Sequence, residues 1–194
     1  MTNLQKAGIS SVGVVIGYKG EQVKDFIRSS KFNLQFTYLH QEEQKGTANA
    51  LLQAQEFAGD DNFLVLGGDN LFSVQDLQSI MKEDEFNYVV SKEVDNPEKY
   101  GVFVSENGFV KKVVEKPQEF VSNTINIGLY KFTKEIWTAL DGIELSPRGE
   151  YELTDALQKL ADQHKLKILP MADYWLDLGC LEDVGPISLF LGSI

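Results

Sequence analysis

Two aspartates, each placed where a short apolar run ends, are the residues of this sequence best suited to chemistry. Asp69 follows the run 63–66 and two glycines, and Asp177 ends a second run just before Gly179. Such a run, bounded by turn residues, is typical of a buried strand, and ligands of open α/β sheets bind beyond the carboxyl ends of the strands. Two carboxylates meeting there would suit Mg²⁺ held between phosphates. Each aspartate alone could equally be a turn former or a helix N-cap.

A second group of candidate residues lies where a predicted strand runs into a predicted helix. Gly46 permits close approach of a ligand to the backbone, and the helix that begins near Thr47 offers free N–H donors. Gln41 can donate and accept hydrogen bonds, which suits the edge of a nucleobase. Taken alone, this stretch is more simply explained as an ordinary helix start capped by Thr47.

Three further segments place polar groups beside predicted strands. Tyr100-Gly101 precedes a strand and by itself indicates only a turn. Glu115 could accept hydrogen bonds from sugar hydroxyls and Lys116 could hold a phosphate as a point charge, although a solvated ion pair is the commoner fate of such neighbours. Asn126 stands inside an apolar strand, where asparagine is disfavoured. A ligand contact and a satisfied structural role are equally open for it.

The elements that must position these residues alternate in the first part of the chain. The periodicity predicts strands and helices in turn at 12–16, 21–29, 34–39, 47–57, 63–66 and 74–81. Short loops between them favour a doubly wound α/β layout. After about residue 86 the pattern changes to mostly strands, at 88–90, 102–105, 109–115, 124–132 and 167–170, with a helix at 152–163. The turn Asn107-Gly108 predicts a hairpin, so we expect one α/β core with an antiparallel insertion.

Composition and charge exclude several classes of function. The 194 residues are 43% hydrophobic and carry a net charge of −11, so they can bury a core but offer no basic stripe for a nucleic acid. The lone Cys180 cannot form an intramolecular disulfide and suits a reducing cytoplasm. No signal peptide is visible, and no apolar stretch approaches the length of a membrane span. We therefore expect a cytoplasmic protein without a nucleic-acid or membrane partner.

Seven motifs follow one another in an order that is far more specific than any of them alone. They are Gln-x4-Gly-Thr-Ala, Leu-Gly-Gly-Asp-Asn, Tyr-Gly-Val, Glu-Lys-Pro, Asn-x-Gly-Leu-Tyr, Arg-Gly-Glu-Tyr-Glu-Leu-Thr-Asp and Trp-Leu-Asp-Leu-Gly. This order resembles the nucleoside-diphosphate-sugar pyrophosphorylases, which are sugar-1-phosphate nucleotidylyltransferases. The glucose-1-phosphate thymidylyl- and uridylyltransferase branch is the most similar. The resemblance runs from Leu4 to about Phe190.

The resemblance implies both a fold and a reaction. The fold is a Rossmann-like mixed sheet flanked by helices, with an antiparallel sugar-binding insertion. It would be a single domain over residues 1–194, with a nucleotide-binding half at 1–85 and a sugar-binding half at 86–194. The reaction is attack of a hexose-1-phosphate, expected to be glucose-1-phosphate, on the α-phosphorus of dTTP or UTP. Pyrophosphate leaves, Mg²⁺ bridges the reacting phosphates, and the product belongs to nucleotide-sugar biosynthesis.

The family's motifs also assign roles to residues of this sequence. Those that would act in catalysis are Asp69, Asp177 and Lys116. The two aspartates would hold the metal, and the lysine would hold the sugar phosphate. Those that would contact the nucleotide are Gln41, Gly46 and Thr47. Those that would line the sugar site are Tyr100, Gly101, Glu115 and Asn126. Arg148 and Glu150 would order the loop before the last predicted helix.

The family's first strand and its Gly-rich loop, Gly-x-Gly-x-Arg-Leu, have no counterpart in this sequence. That loop neutralises charge on the transferring phosphates, so we expect catalysis by these residues alone to be impaired. The alternative function is a non-catalytic sugar-nucleotide-binding or regulatory subunit of a full-length pyrophosphorylase. Because the family's first strand is central in its sheet, we also expect a gap or an unpaired strand edge. A second copy or a partner chain could fill it.

Overall fold

A computed structural model describes residues 1–192 and shows an α/β protein. The strands are β1 (Ser11–Ile16), β2 (Gln35–His40), β3 (Phe63–Leu66), β4 (Asn70–Phe72), β5 (Asn87–Glu93), β6 (Gly101–Glu106), β7 (Phe109–Glu115), β8 (Thr124–Phe132), β9 (Leu166–Pro170) and β10 (Trp175–Asp177). The helices are α1 (Thr2–Lys6), α2 (Gly20–Ser29), α3 (Thr47–Leu52), α4 (Gln55–Ala58), α5 (Val74–Ile80), α6 (Glu135–Leu140), α7 (Leu153–Asp162) and α8 (Val184–Leu191). The mixed α/β class expected from the sequence is confirmed.

The main sheet has six strands in the order β3-β8-β5-β9-β7-β6 and is mixed, because only β5 and β9 run parallel. Alternate residues of β8 point to opposite faces, so Ile125 and Ile127 join one core while Tyr130 and Phe132 join another. Helices α6 and α7 cover the face of Phe132, and α1 and α5 pack on the other face. A sheet that is covered on both faces explains why most residues of β5 and β8 are buried.

Two small sheets flank the main one. Strands β1 and β2 pair in parallel, and β4 pairs with β10 in antiparallel fashion. In the second pair Asp177 lies directly opposite Asn70. Strand β10 is thereby joined to the segment that follows β3, which places the two predicted metal-binding aspartates near each other.

The expected unpaired strand edges are present. Within residues 1–192, β1 pairs only with β2 and β3 only with β8. The amides of Gln35 and Gln41 donate to the carbonyls of Ser10 and Ile16. The backbone N–H and C=O groups of even-numbered residues in β1 therefore point towards β2, and those of odd-numbered residues point away from it. A cavity of about 1180 Å³ is lined on opposite sides by 12–15 and by β3. Both strands are only half-buried for this reason.

Several details differ from the predicted elements, and β4 was not predicted as a strand. The helix predicted at 47–57 is two helices, because the amide of Ala54 turns to Leu51 and tightens the chain between α3 and α4. Helix α6 was not predicted. Helix α8 was not predicted either, and it is apolar along most of its length but has only eight residues. None of the helices within residues 1–192 is long and apolar enough to cross a membrane.

Amide hydrogen exchange checks the two unpaired edges. We expect the amides of Gly13, Val15 and Leu64 to exchange at least about tenfold faster than those of Val14 and Val65, because the first three point into the cavity while the others bond to neighbouring strands. Equal protection of odd- and even-numbered residues along either strand would contradict this assignment.

Candidate active site

The predicted site residues converge on the cavity between β1 and β3, which continues towards β10 and the amino end of β6. Those that line it are Gln41, Thr47, Tyr100, Gly101, Glu115, Lys116, Asn126 and Asp177. Asp69 lies between Gly68 and Asn70, which both line the cavity. Gly46 instead packs against Tyr151. The structure therefore brings together residues that are up to 136 positions apart in the sequence (41 to 177).

A short relay of hydrogen bonds holds the carboxylate of Asp69. The side-chain amide of Asn70 donates to Asp69 Oδ1 at 2.6 Å, and the indole N–H of Trp175 donates to Asn70 Oδ1. The backbone amide of Leu178 donates to the carbonyl of Asp69 at 3.0 Å. Because Trp175 belongs to the same strand as Asp177, the pairing of β4 with β10 fixes both aspartates at once.

The two carboxylates share one electrostatic environment. Burial raises the pKa of Asp177, and the negative charges of Asp69 and Asp183 raise it further. A divalent cation would relieve this repulsion, and carboxylate oxygens are the ligands that Mg²⁺ prefers. Within residues 1–192, no group of three or more His, Cys, Asp or Glu side chains is arranged to hold a metal alone. The donor set thus fits an Mg²⁺ that keeps phosphate and water as its other ligands.

The segment expected to contact the nucleotide is held together internally. The side-chain amide nitrogen of Gln41 donates to Asn49 Oδ1 at 2.8 Å and to the Gly46 carbonyl at 3.3 Å, which leaves its side-chain oxygen to accept from a ligand. Gly46 is the N-cap of α3 and its φ is +102°. Thr47 does not cap that helix, since its hydroxyl accepts from the amide of Leu153, at the start of α7.

The side chain of Glu115, expected to contact the sugar, is half-buried among charged groups. Burial and then the charge of Glu152 raise its pKa, while the Arg148 guanidinium opposes the shift. A Cβ on Gly101 would lie 3.0 Å from Glu115 Oε2, so a larger residue at this position would push the carboxylate aside. The ring of Tyr100 meets Trp175 edge to face at 6.0 Å between centroids, and this contact ties the sugar half to β10.

Asn126 has the structural role that the sequence left open. Its side-chain amide donates to the Tyr130 hydroxyl at 2.7 Å, and its oxygen accepts from the amide of Gly128 at 3.1 Å. Gly128 has a φ of +75°, a conformation that few residues other than glycine adopt. The hydrogen bond between its amide and Asn126 therefore stabilises a kink in β8. The side chain also lines the cavity, and its contact with a sugar stays a prediction.

Lys116 and Arg148 are among the cationic residues that line the cavity. Lys116 has a φ of +42°, which is uncommon outside glycine and often marks a functional site. Arg148 was expected only to order its loop. It does so by binding Glu152, but its Nη2 also lies 3.7 Å from Glu115 Oε1. The charged motif around Arg148 signalled an ordered loop, but it carried no sign of the contact with a strand some thirty residues away.

A mixed α/β sheet with an acidic pair and a cavity at its strand ends is typical of α/β proteins that bind nucleotides or phosphates. The family model described as nucleotidyl transferase matches residues 1–192, and this chain belongs to that family. The bifunctional protein GlmU of Methanocaldococcus jannaschii is 37% identical over 186 residues, which are 94% of this chain and 43% of that protein. The chain spans about half the length of the curated relatives it matches, 43% and 53% for two of them.

Solved structures show the same fold. A Bacillus anthracis protein assigned as a glucose-1-phosphate thymidylyltransferase, in complex with a sucrose, is 27% identical with a TM-score of 0.86 over 99% of this chain and 80% of that one. A UDP-glucose pyrophosphorylase complexed with UDP-glucose has the same TM-score of 0.86 at 23% identity, over 100% of this chain and 85% of that one. The resemblance to the sugar-1-phosphate nucleotidylyltransferases and the fold class are thereby confirmed.

Replacing Asp69 with asparagine tests whether the two carboxylates share a site. We expect Asp69→Asn to lower the pKa of Asp177, because it removes one of the negative charges that raise that pKa. Carboxyl ¹³C NMR titration measures the shift. Asp25→Asn, on the exposed face of α2, is the matched control and should leave Asp177 unchanged. If the pKa of Asp177 were the same in Asp69→Asn, the two carboxylates would not share a site.

Proposed function

We propose that this chain transfers a nucleoside monophosphate from dTTP or UTP to a hexose-1-phosphate, glucose-1-phosphate first, and releases pyrophosphate. The observation that carries the proposal is that Asp177, whose carboxylate is close enough to Asp69 to feel its charge, lines the same cavity as Glu115 and Lys116. An acidic pair for a metal and a cation for a phosphate are the groups that phosphoryl transfer requires. The product would enter nucleotide-sugar biosynthesis.

Each side chain has a role in this reaction that follows from its position. Asp69 and Asp177 would hold Mg²⁺, which would neutralise charge on the phosphates. Lys116 would hold the phosphate of the sugar, and Arg148 would add a second positive charge on that side. Glu115 would accept hydrogen bonds from sugar hydroxyls. Positioning of the attacking oxygen against the α-phosphorus and stabilisation of charge on the phosphates together contribute most of the rate in such reactions.

The base and sugar sites divide along the cavity. Gln41 and Thr47, which line the cavity, would face the nucleotide, with the Gln41 side-chain oxygen available to the base, whereas Gly46 packs against Tyr151. Tyr100-Gly101, Glu115 and Asn126 would face the sugar. The Bacillus anthracis protein, 27% identical, is assigned as acting on glucose-1-phosphate with a thymidylyl donor, which supports this choice of substrates. The single thiol of Cys180, which is exposed, further supports a reducing, cytoplasmic location.

A second candidate function is favoured by the unpaired edges of β1 and β3. Their outward backbone groups border the cavity on its nucleotide side, and such edges readily pair with another strand. A chain with these unpaired edges would bind a sugar nucleotide without catalysing the reaction, as a regulatory or binding subunit. A second copy or a partner chain would then cover the edges.

Pyrophosphate release separates the two functions. The purified chain is given Mg²⁺, dTTP or UTP, and glucose-1-phosphate or N-acetylglucosamine-1-phosphate. We expect release that needs both substrates and falls at least about a hundredfold in Asp177→Ala, because the metal loses a ligand. A folded chain that binds UDP-glucose but releases no pyrophosphate would favour the regulatory function. Binding of neither nucleotide nor sugar phosphate would refute both.

The role of Lys116 is tested by binding of the sugar phosphate alone. We expect Lys116→Gln to raise the Kd of glucose-1-phosphate about tenfold or more, since a charge-assisted hydrogen bond is lost. Lys112→Gln, an exposed position on β7, the strand that ends just before Lys116, is the matched control and should bind as the unaltered chain does. Equal affinities of the two variants would remove Lys116 from the phosphate site.

A further inference from the structure

The loop of residues 146–152, here called the Arg148 loop, packs backbone to backbone against the loop that carries Gly46. The amide of Tyr151 donates to the Lys45 carbonyl at 2.8 Å, and the Tyr151 carbonyl accepts from Ala48 at 3.0 Å. A Cβ on Gly46 would lie 2.5 Å from the Tyr151 oxygen and 2.8 Å from its nitrogen. No side chain fits there, so Tyr151 itself provides a reason for glycine at this position.

The contact continues from Tyr151 to the sugar half. The next residue, Glu152, is only 5% exposed, and its Oε1 accepts from Ser146 Oγ at 2.9 Å and from Arg148 Nε and Nη2 at 3.1 and 2.8 Å. Arg148 Nη2 in turn lies 3.7 Å from Glu115 Oε1. A buried carboxylate that holds a guanidinium in two places fixes its direction as well as its charge.

We propose that Gly46 is a positioning residue for Arg148. By admitting Tyr151 it fixes the Arg148 loop, and the guanidinium is thereby held beside Glu115. The proposal rests on the proposed function insofar as that side of the cavity takes the sugar phosphate. Gly46 then acts mainly on the sugar side, although it lies in the segment expected to contact the nucleotide. The two roles predict opposite binding defects.

Gly46→Ala separates these roles in calorimetric titrations of glucose-1-phosphate alone and of UTP alone. We expect the Kd of glucose-1-phosphate to rise about tenfold, within the range of ordinary coupling energies, and the Kd of UTP to change less than about twofold. Gly108→Ala is the matched control, because Gly108 has a φ of +80° but nothing within 4 Å of an added Cβ. Weakened UTP binding with unchanged sugar-phosphate binding would overturn the proposal.

A double-mutant cycle tests whether the effect passes through Arg148. We expect Arg148→Gln to weaken glucose-1-phosphate binding, and Gly46→Ala to add less than about twofold in that background, since coupled residues are not additive. Additive losses would contradict the proposal. Glu152→Gln serves if Gly46→Ala fails to fold. It should reproduce the sugar-phosphate defect and spare UTP binding, and a defect in neither titration would count against the proposal.

A readout without substrate distinguishes failure of this proposal from failure of the proposed function. The charged groups that face Glu115 are Arg148, Lys116 and Glu152. Withdrawal of the guanidinium should raise the pKa of Glu115 in Gly46→Ala as in Arg148→Gln, but not in Gly108→Ala, by carboxyl ¹³C NMR. If no substrate binds, the proposed function fails while this titration still decides the positioning role. An unshifted Glu115 in Gly46→Ala would overturn it.

Discussion

The antiparallel pairing of β4 with β10 is the constraint on which the site depends. It joins strands from two distant parts of the chain, which no local sequence pattern links. Because the pairing consists of only three residue pairs, a further contact is needed to stabilise it. The side chain of Asp76, which is fully buried, provides that anchor. Its carboxylate accepts from the amides of Ala172 and Asp173 at 2.6 and 3.3 Å and from Ser73 Oγ at 2.6 Å. A buried carboxylate is costly unless it is satisfied, so this arrangement is stable only when the segment before β10 lies against α5. Asp177 is thereby placed beside Asp69.

The two halves of the cavity differ in how firmly they are built. On the sugar side, β8 lies between β3 and β5 and contributes to both cores, and its Lys131, only 2% exposed, donates to the carbonyls of Asp84 and Phe86. On the nucleotide side, β1 and β3 each pair on one edge only and stay half-buried. Few buried contacts and solvent-facing backbone groups give low local stability. We therefore expect the scaffold of Glu115 and Asn126 to have a higher local stability than the wall beside Gln41.

The sequence was sufficient for whatever depends on local pattern. The α/β class, the strand 124–132 and the hairpin at Asn107-Gly108 follow from periodicity and turn chemistry, and both turn residues adopt positive φ, 52° and 80°. The meeting of the two aspartates was inferable only from strand ends and motif order. The residues that contact Thr47 and Gly46 could not be predicted from the sequence. A glycine indicates that another group approaches the backbone closely, but it does not indicate which residue that is. The break between α3 and α4 likewise depends on a single tightened turn, which propensity does not resolve.

The contact of Gly46 with Tyr151 links these two unequal halves. The Arg148 loop is fixed at one end to the nucleotide-side segment and at the other, through Glu152, to the charges around Glu115. A positive charge is thus held on the sugar side before any substrate is present, and it offsets part of the effect that burial has on the Glu115 carboxyl. Groups held in place in this way lose little free energy to reorganisation when a phosphate arrives. Because the same loop also contacts the segment expected to bind the nucleotide, a movement of that segment would change the position of the charge. Under the proposed function, this backbone contact would couple the two sites without requiring the two ligands to touch.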